Sequence, residues 1–323
     1  MQFYCTCYII KKSRNAAADE CQPKSDYARG NKLYYIIANG KRLKGENLKQ
    51  LEIVKEVFEK AGKEYEVAFT YKRGDAKILA EKITKSGGSH TLAVMGGDGT
   101  LHDIINGFHD FENCYLGLIP SGTGNDFAEG AGIPFDTKKA AEIIAYRAPQ
   151  PVDFIELSSG LRSINSVGMG IDVDVLKRAY AGKYKGRSKY LKALLTSIRK
   201  FKGCSFTVEY NGIKEKRFGL IAALGNGRQF GGGIKMFPDA KINDGYLDLI
   251  MVDYISKSKI LGAFIKLMRG KVNSIKGATV VKTKSATFYH EDENYTIQAE
   301  GELYDNMPIV ANIVEGKLKF YLP

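Results

Sequence analysis

Hydrophobic and polar positions alternate along residues 32–150 as they do in strands separated by helices. Short apolar runs predict strands in KLYYIIAN, YEVAFT, TLAVM and YLGLIP. Between them lie stretches whose apolar residues recur every three or four positions, such as Leu48 to Phe58, which ends at a Gly62 stop signal. Strands that alternate with helices in this way predict a parallel sheet covered by helices.

The pattern changes near residue 152, where short β-type runs follow one another with few helices between them. Turn residues separate these runs, and helices are predicted near 172–202 and 257–269. Many strands with few helices predict a second, β-rich domain built as a sandwich. The final run, PIVANIVEGKLKFYLP, could close either domain. Residues 1–30 differ from the rest and lack the features of a signal peptide, so we treat them as an appendage of unknown role.

The composition limits the cellular locations, the binding partners and the metal ions to be considered for this protein. The formal net charge of +12 favours anionic partners, such as nucleic acid, phosphorylated metabolites or an anionic membrane surface. An apolar stretch of membrane-spanning length is absent from the sequence, so any membrane contact is expected to be peripheral. Five scattered cysteines have neither zinc-finger nor redox-pair spacing, and reduced thiols in a cytoplasmic protein are the simplest interpretation. The four histidines suggest no zinc site, which leaves a hard cation held by oxygen atoms as the metal to consider.

Two glycine-rich turns follow neighbouring predicted strands. GGDGT occupies 96–100 and PSGTGND occupies 120–126. The carboxyl ends of parallel strands bind ligands, and glycine lets the backbone approach a polyphosphate beside the positive end of the following helix. Asp98 repels phosphate unless a cation lies between them, and Mg²⁺ is the natural choice. The pair of turns predicts a nucleotide triphosphate site, whereas either turn alone could be a tight structural turn.

GGDGT followed by PSGTGNDFA resembles the catalytic-domain family of diacylglycerol kinases, soluble lipid kinases related to sphingosine and ceramide kinases. TYKRGDA, INSVGMGIDVDV and ALGNGRQFGGGIKMFPDAKINDGYLDLIMV extend the resemblance over roughly residues 32 to 323. The resemblance implies an ATP-binding α/β domain of the phosphofructokinase and NAD-kinase type over 31–152, rejoined by a returning segment at about 305–323. It also implies a β-sandwich lipid-substrate domain over 153–304. The implied reaction is ATP- and Mg²⁺-dependent phosphorylation of diacylglycerol to phosphatidic acid. Another hydroxyl lipid, such as a sphingoid base or a polyprenol, and a soluble acceptor are the alternatives.

The resemblance also implies the site residues. The ATP site would comprise Asn39, Thr70, Gly96, Gly97, Asp98, Gly99, Thr100, Leu101, His102, Ser121, Gly122, Thr123, Gly124 and Asn125. Asp98, Asp126 and Asp153 would hold the catalytic Mg²⁺, partly through water. A second, structural Mg²⁺ would lie at Lys241, Asp244 and Tyr246, where an ordinary hairpin turn without metal is the alternative.

Two segments depart from the pattern of the family. Its first loop usually reads N-P-x-(S/A)-G, whereas this chain has NGKRLKG. Its general base is the aspartate of an Asp-Gly-Glu triplet, whereas this chain has Glu300 at that position in AEGE. Glutamate can accept the proton of the substrate hydroxyl if the backbone brings its carboxylate within reach. The alternatives are a weak enzyme, catalysis without a base, or a basic membrane- or nucleic-acid-binding protein with a degenerate kinase site.

A basic segment at 177–203 contains ten Lys and Arg residues and no Asp or Glu. Its aromatic residues and a leucine stripe favour docking on an anionic membrane that holds the lipid substrate. An amphipathic helix buried in its own domain is the alternative. The helical stretch at 257–271 could extend the same face. We expect no nucleic-acid partner, because no recognised nucleic-acid module accompanies the charge, and a homodimer is an open alternative.

Overall fold

The computed structural model describes residues 9–10, 32–182, 187–291 and 293–323. The chain divides into two compact units. Of the described residues, those up to Val152 together with Gly316–Pro323 form one unit, and those from Asp153 to Glu315 form the other. The C-terminal segment that returns to the first unit therefore begins at Gly316.

The first unit is a predominantly parallel sheet with helices between its strands. Its strands are β1 (Ile9–Ile10), β2 (Leu33–Asn39), β3 (Tyr65–Thr70), β4 (His90–Gly96) and β5 (Cys114–Pro120). Its helices are α1 (Glu46–Lys60), α2 (Asp75–Lys85), α3 (Asp98–Gly107), α4 (Asp126–Gly130) and α5 (Thr137–Tyr146), with a 3₁₀ turn at Gly40–Arg42. The strand order is β1-β3-β2-β4-β5, in which only β1 runs antiparallel to its neighbour. Every residue of β4 is buried, as expected for a parallel strand covered on both faces.

The second unit is rich in antiparallel strands. Its strands are β6 (Gln150–Leu157, which enters from the first unit), β7 (Arg162–Ser163), β8 (Ser166–Gly170), β9 (Cys204–Tyr210), β10 (Ile213–Gly225), β11 (Leu247–Asp253), β12 (Ala278–Thr283), β13 (Ser285–His290), β14 (Thr296–Ala299), β15 (Glu302–Asp305) and β16 (Ile309–Phe320, which leaves for the first unit). Its helices are α6 (Ile171–Ala181), α7 (Arg187–Lys200) and α8 (Lys257–Met268), with a 3₁₀ turn at Val272–Ser274. Phe320 of β16 pairs in parallel with Leu116 of β5.

Strand β10 separates two hydrophobic clusters in the second unit. Ala222 and Leu224 of β10 pack into a cluster of side chains from the strands. Ala223, which points to the other face of β10, packs into a cluster that also contains Ile198 of α7 and Ile260 of α8. This alternation follows from the two-residue period of a strand. Burial of each large aliphatic side chain contributes about 1.5–3 kcal/mol, so both faces of β10 stabilise the unit.

The predicted α/β domain followed by a β-sandwich is confirmed. The helix expected at 257–269 is α8, and the helical region near 172–202 consists of α6 and α7, with Gly182 as the C-cap of α6. None of the helices in the described ranges is both long and apolar enough to cross a membrane.

Candidate functional site

The two glycine-rich turns touch each other at the carboxyl edge of the first unit's sheet. A Cβ on Gly97 would lie 2.8 Å from Gly122 Cα, and a Cβ on Gly122 would lie 2.6 Å from Gly97 Cα. The N–H of Ser121 donates a hydrogen bond to Gly96 O at 2.9 Å. Neither Gly97 nor Gly122 has a positive φ, so these glycines are required for close packing and not for an unusual backbone conformation.

Two side chains fasten these turns. Asn125 is left-handed at φ 57°, and its amide makes two 3.0 Å bonds to the backbone of Gly122, one to N and one to O. Asp98 begins α3, and its Oδ1 accepts a 3.2 Å bond from the N–H of Phe127 in α4. The carboxylate of the first turn therefore also stabilises the second turn, which gives Asp98 a structural role besides any catalytic one.

A pocket of the first unit opens between the ends of β2 and β4. The pocket is lined by Ala38, Asn39, Arg42, Leu43, Asn47, Gln50, Met95, Gly96, Gly97, Thr100 and Ser121. Five of these residues belong to the predicted ATP site. Arg42, Asn47 and Gln50 were missed, although the rule that neighbouring parallel strands share a carboxyl edge points to the loop after β2.

Other predicted ATP-site residues are placed differently. Leu101 is fully buried, so its side chain packs in the core, and Thr70 is buried with its hydroxyl 3.4 Å from Ala38 O. Thr123 is exposed, Gly124 is half-buried, and a Cβ on Gly99 would meet no atom within 4 Å. Burial, together with the charges of Arg73 and Lys77, lowers the pKa of His102 to about 4. His102 is therefore neutral near pH 7 and contributes no charge to phosphate binding.

The three carboxylates predicted for the catalytic Mg²⁺ come from both units. Asp98 and the buried Asp126 belong to the first unit, and Asp153 belongs to the second, where its Oδ2 accepts a 2.8 Å bond from Gly245 N–H. Among the described residues, no group of three or more His, Cys, Asp and Glu side chains is arranged to hold a metal ion. Magnesium usually binds one or two carboxylates together with phosphate oxygens, so a half-buried Asp98 beside the touching turns suits it.

The carboxylate of the turn predicted to hold a structural Mg²⁺ forms an ion pair with a lysine. The ammonium of Lys282 lies 2.7 Å from Asp244 Oδ2 and 3.5 Å from Asp248 Oδ2, and Tyr246 N–H donates to Asp244 Oδ1. Partial burial opposes protonation of Lys282, but the two carboxylates outweigh it and raise the pKa of this lysine. In this structure Lys282 of β12 balances the charge of Asp244, and the structural Mg²⁺ at Asp244 and the backbone carbonyls of Lys241 and Tyr246 stays a prediction. Lysine at this distance in sequence gives no motif that could have revealed it.

Glu300 lies in a tight hairpin of the second unit. Glu300 and Gly301 join β14 to β15 with φ values of 52° and 79°, which is the pattern of a two-residue type I′ turn. The Glu300 carboxylate contacts the segment 163–166. Oε1 lies 2.5 Å from both Ser163 Oγ and Asn165 N, and Oε2 lies 3.3 Å from Asn165 Nδ2. The predicted base is therefore oriented by a segment that precedes it by more than 130 residues.

A buried carboxylate close to this hairpin was missed at the level of sequence. Asp172 lies in the first turn of α6, and a Cβ on Gly168 would lie 2.9 Å from its Oδ2, so its carboxylate packs against β8. Burial raises the pKa of Asp172 to about 6, against the opposing influence of the nearby Val173 N–H and Gln298 side chain. Perturbed carboxylates cluster at functional sites. The sequence signal was an aspartate two residues after the glycine-rich end of a β-type run.

Substitution Asp172→Asn is expected to stabilise the second unit in a pH-dependent way. An ordinary Asp has a pKa near 3.9, so the elevated pKa means that the folded state prefers the neutral carboxyl. Stability is therefore lost as pH rises from about 4 through 6, by up to about 3 kcal/mol above that range. Asparagine stays neutral, and the variant should melt higher than the original chain at pH 7.5 but not at pH 4. An equal change in melting temperature at both pH values would contradict this account.

Two family descriptions match consecutive parts of the chain. The diacylglycerol kinase catalytic domain matches residues 34–157, and the YegS C-terminal NAD kinase beta sandwich-like domain matches residues 165–322. A "Probable lipid kinase YegS-like" of Pseudomonas putida is 32% identical over 207 residues, which are 64% of this chain and 69% of that protein. A protein of the same description from Xanthomonas campestris pv. campestris is 28% identical over 89% of this chain and 95% of its own length. The fold is similar to that of a diacylglycerol kinase from Bacillus anthracis str. Sterne, with a TM-score of 0.69 at 21% identity over 90% of this chain and 96% of that one.

Proposed function

Because this chain belongs to the YegS-like lipid kinases of the diacylglycerol kinase catalytic-domain family, we propose that it transfers the γ-phosphate of ATP to the hydroxyl of diacylglycerol, forming phosphatidic acid. The observation that carries the proposal is the contact between the turns at 96–100 and 121–125. Their glycines bring two stretches of backbone together beside the pocket at the ends of β2 and β4. Backbone N–H groups and a helix start in such a turn bind phosphate.

Each part of the proposed site has a distinct task. Arg42, Asn47 and Gln50 add polar groups to the pocket and would bind the nucleotide. Asp98 would hold Mg²⁺, which when bound neutralises the charge of the phosphate oxygens during transfer. Glu300 would take the proton from the lipid hydroxyl, because its carboxylate is already held in one orientation.

A panel of acceptors tests the proposal. The purified chain would be incubated with labelled ATP and Mg²⁺ in mixed micelles that contain diacylglycerol, a sphingoid base or a polyprenol. We expect the label in phosphatidic acid. Label in another lipid would show that the chain is a lipid kinase whose acceptor is that lipid and not diacylglycerol. ATP binding without transfer to any lipid would favour a membrane-binding protein, the alternative that the replacement of the usual aspartate by Glu300 supports.

We further propose that the second unit docks on an anionic membrane. Of the segment 177–203, residues 183–186 lie outside the described residues, as do the side chains of 187–191. Helix α8 and the residues that follow it supply a second basic stretch, since residues 257–271 contain five Lys and Arg and no Asp or Glu. Along α8, Leu261, Ile265 and Met268 are spaced as one stripe and are exposed by 48, 44 and 40%. An exposed apolar stripe flanked by lysines matches the surface of an anionic bilayer.

Charge and apolar substitutions on α8 should separate the two contributions to docking. Lys259→Glu should weaken binding to phosphatidylcholine vesicles that contain phosphatidylglycerol by about tenfold at low salt, and less at high salt. Leu261→Asp combined with Ile265→Asp should weaken binding at every salt concentration. Ile213→Asp, which alters a similarly exposed apolar residue of β10, is the control. Co-sedimentation measures all four proteins, and salt-insensitive binding of the original chain would contradict the electrostatic part.

A further inference from the structure

The Glu300 hairpin combines an unfavourable backbone with a strongly held side chain. Both central residues of the turn have positive φ, a conformation that favours Asn, Asp and Gly over glutamate. The turn is also supported on two other sides. Gly301 N–H donates to Gln298 Oε1 at 3.1 Å, and Tyr180 of α6 donates its hydroxyl to Gly301 O at 2.6 Å. The longer side chain is thus held in a turn better suited to the aspartate of the family.

The partner of this side chain is the buried segment between β7 and β8. Ser163, Asn165 and Ser166 are at most 2% exposed. Oε1 of Glu300 accepts hydrogen bonds from Ser163 Oγ and Asn165 N, each at 2.5 Å, and from Ser166 N at 3.4 Å. Glu300 N–H in turn donates to Ser166 O at 3.2 Å. Side chain and backbone of Glu300 therefore bind the same four-residue segment.

That segment is itself fixed by the end of β10. Asn165 O accepts the N–H groups of Asn226 and Gly227 at 2.7 and 3.0 Å. A Cβ on Gly227 would overlap Asn165 Oδ1, so only glycine permits this approach. A rigid buried segment that binds both oxygens of a carboxylate fixes the orientation of the group.

We propose that the segment 163–166 is a positioning device for Glu300, which binds both carboxylate oxygens and so holds the group in one orientation for proton transfer from the substrate hydroxyl. Three donors bind Oε1, two of them at 2.5 Å, whereas the bond from Asn165 Nδ2 to Oε2 is longer at 3.3 Å, so Oε2 is the more weakly bonded oxygen and is assigned the proton. The hydroxyl O–H bond breaks and its proton passes to Oε2. The hydroxyl oxygen forms a bond to the γ-phosphorus, and the bond from that phosphorus to the bridging oxygen breaks with its electron pair leaving on ADP. This inference rests on the proposed kinase function.

The extra methylene of glutamate is what reaches Ser163 in this arrangement. Aspartate at this position would have a carboxylate about 1.5 Å short of the segment, a distance set by one carbon–carbon bond. Glu300→Asp restores the triplet of the family and relieves the backbone, yet it should lower the rate, because a displacement of about 1 Å can reduce a rate by about a hundredfold. If aspartate, the residue of the family, simply improved the site, Glu300→Asp would raise the rate instead.

The test compares Ser163→Ala, Glu300→Asp and the double variant in the full chain, with labelled ATP and diacylglycerol micelles. Thr283→Val removes a different buried hydroxyl of the second unit and is the control for loss of a buried hydrogen bond. Ser163→Ala should lower kcat about tenfold with an unchanged KM for ATP. The acidic limb of the pH–rate profile of Ser163→Ala should move to higher pH by about one unit. Loss of the hydrogen bond from Ser163 disfavours the ionised form of the Glu300 carboxylate. Glu300→Asp should lower kcat at least tenfold, and adding Ser163→Ala to it should change nothing more.

Each result has a definite consequence for the positioning device. A Glu300→Asp variant as active as the original chain, or an unshifted pH profile for Ser163→Ala, overturns it. Additive losses in the double variant also overturn it, since they mean that Ser163 acts independently of Glu300. Lack of lipid phosphorylation by the original chain would instead refute the proposed function. Circular dichroism and melting temperature identify a variant that fails to fold, in which case Glu300→Asp alone decides.

Discussion

Asp98→Asn is expected to reduce lipid phosphorylation by about a thousandfold while leaving the protein folded. Asn retains an oxygen that can accept the bond from Phe127 N–H, so the link between the two glycine-rich turns survives. What is lost is the negative charge that would hold Mg²⁺ against the phosphates. Phosphoryl transfer relies on positioning and on electrostatic neutralisation, so removal of that charge affects the transition state more than the binding of ATP.

The measurement is the initial rate of phosphatidic acid formation together with ATP affinity and melting temperature. Asp110→Asn is the matched control, because Asp110 likewise accepts backbone N–H groups, those of Glu112 and Asn113, in the first unit. We expect the control to keep its activity. An Asp98→Asn enzyme within threefold of the original rate would mean that Asp98 serves only to fasten α4 to α3.

The arrangement of the first unit was predictable because its signals are local. Apolar runs predicted the strands β2 to β5, and the glycine turns predicted a nucleotide site at the carboxyl ends of these strands. The structural requirement that each glycine of these turns meets was not predictable. Sequence cannot distinguish a glycine needed for positive φ from one needed for room, and Gly97 and Gly122 are of the second kind.

Contacts between distant residues account for most of what the sequence missed. Ser163 lies 137 residues from Glu300, and Lys282 lies 38 residues from Asp244. No spacing rule connects such pairs, because the strands of the second unit bring them together. The burial of the Leu101 side chain has a simpler cause. A motif counts consecutive residues, whereas successive residues of a helix point in different directions, and this side chain points into the core.

Glu300→Gln should lower kcat by about a hundredfold to ten-thousandfold, the usual range for loss of a general base. Glutamine keeps an acceptor oxygen for Ser163 Oγ and Asn165 N–H, so the hairpin should retain its conformation. Its amide cannot take the proton of the lipid hydroxyl. The acidic limb of the pH–rate profile should therefore disappear along with most of the rate, since the group that must be ionised is gone.

Glu209→Gln is the control for this experiment, because Glu209 is a carboxylate of the same unit that accepts a 3.1 Å bond from Tyr289 on β13. Equal ATP affinity in all three proteins would place the loss in the chemical step. The alternative is catalysis by positioning and charge alone, which phosphoryl transfer permits. That alternative predicts that Glu300→Gln keeps most of its activity and an unchanged pH profile. Since the replacement is isosteric and the donors around Oε1 remain, such a result would locate the catalytic power in the glycine turns and Asp98 rather than in the AEGE hairpin.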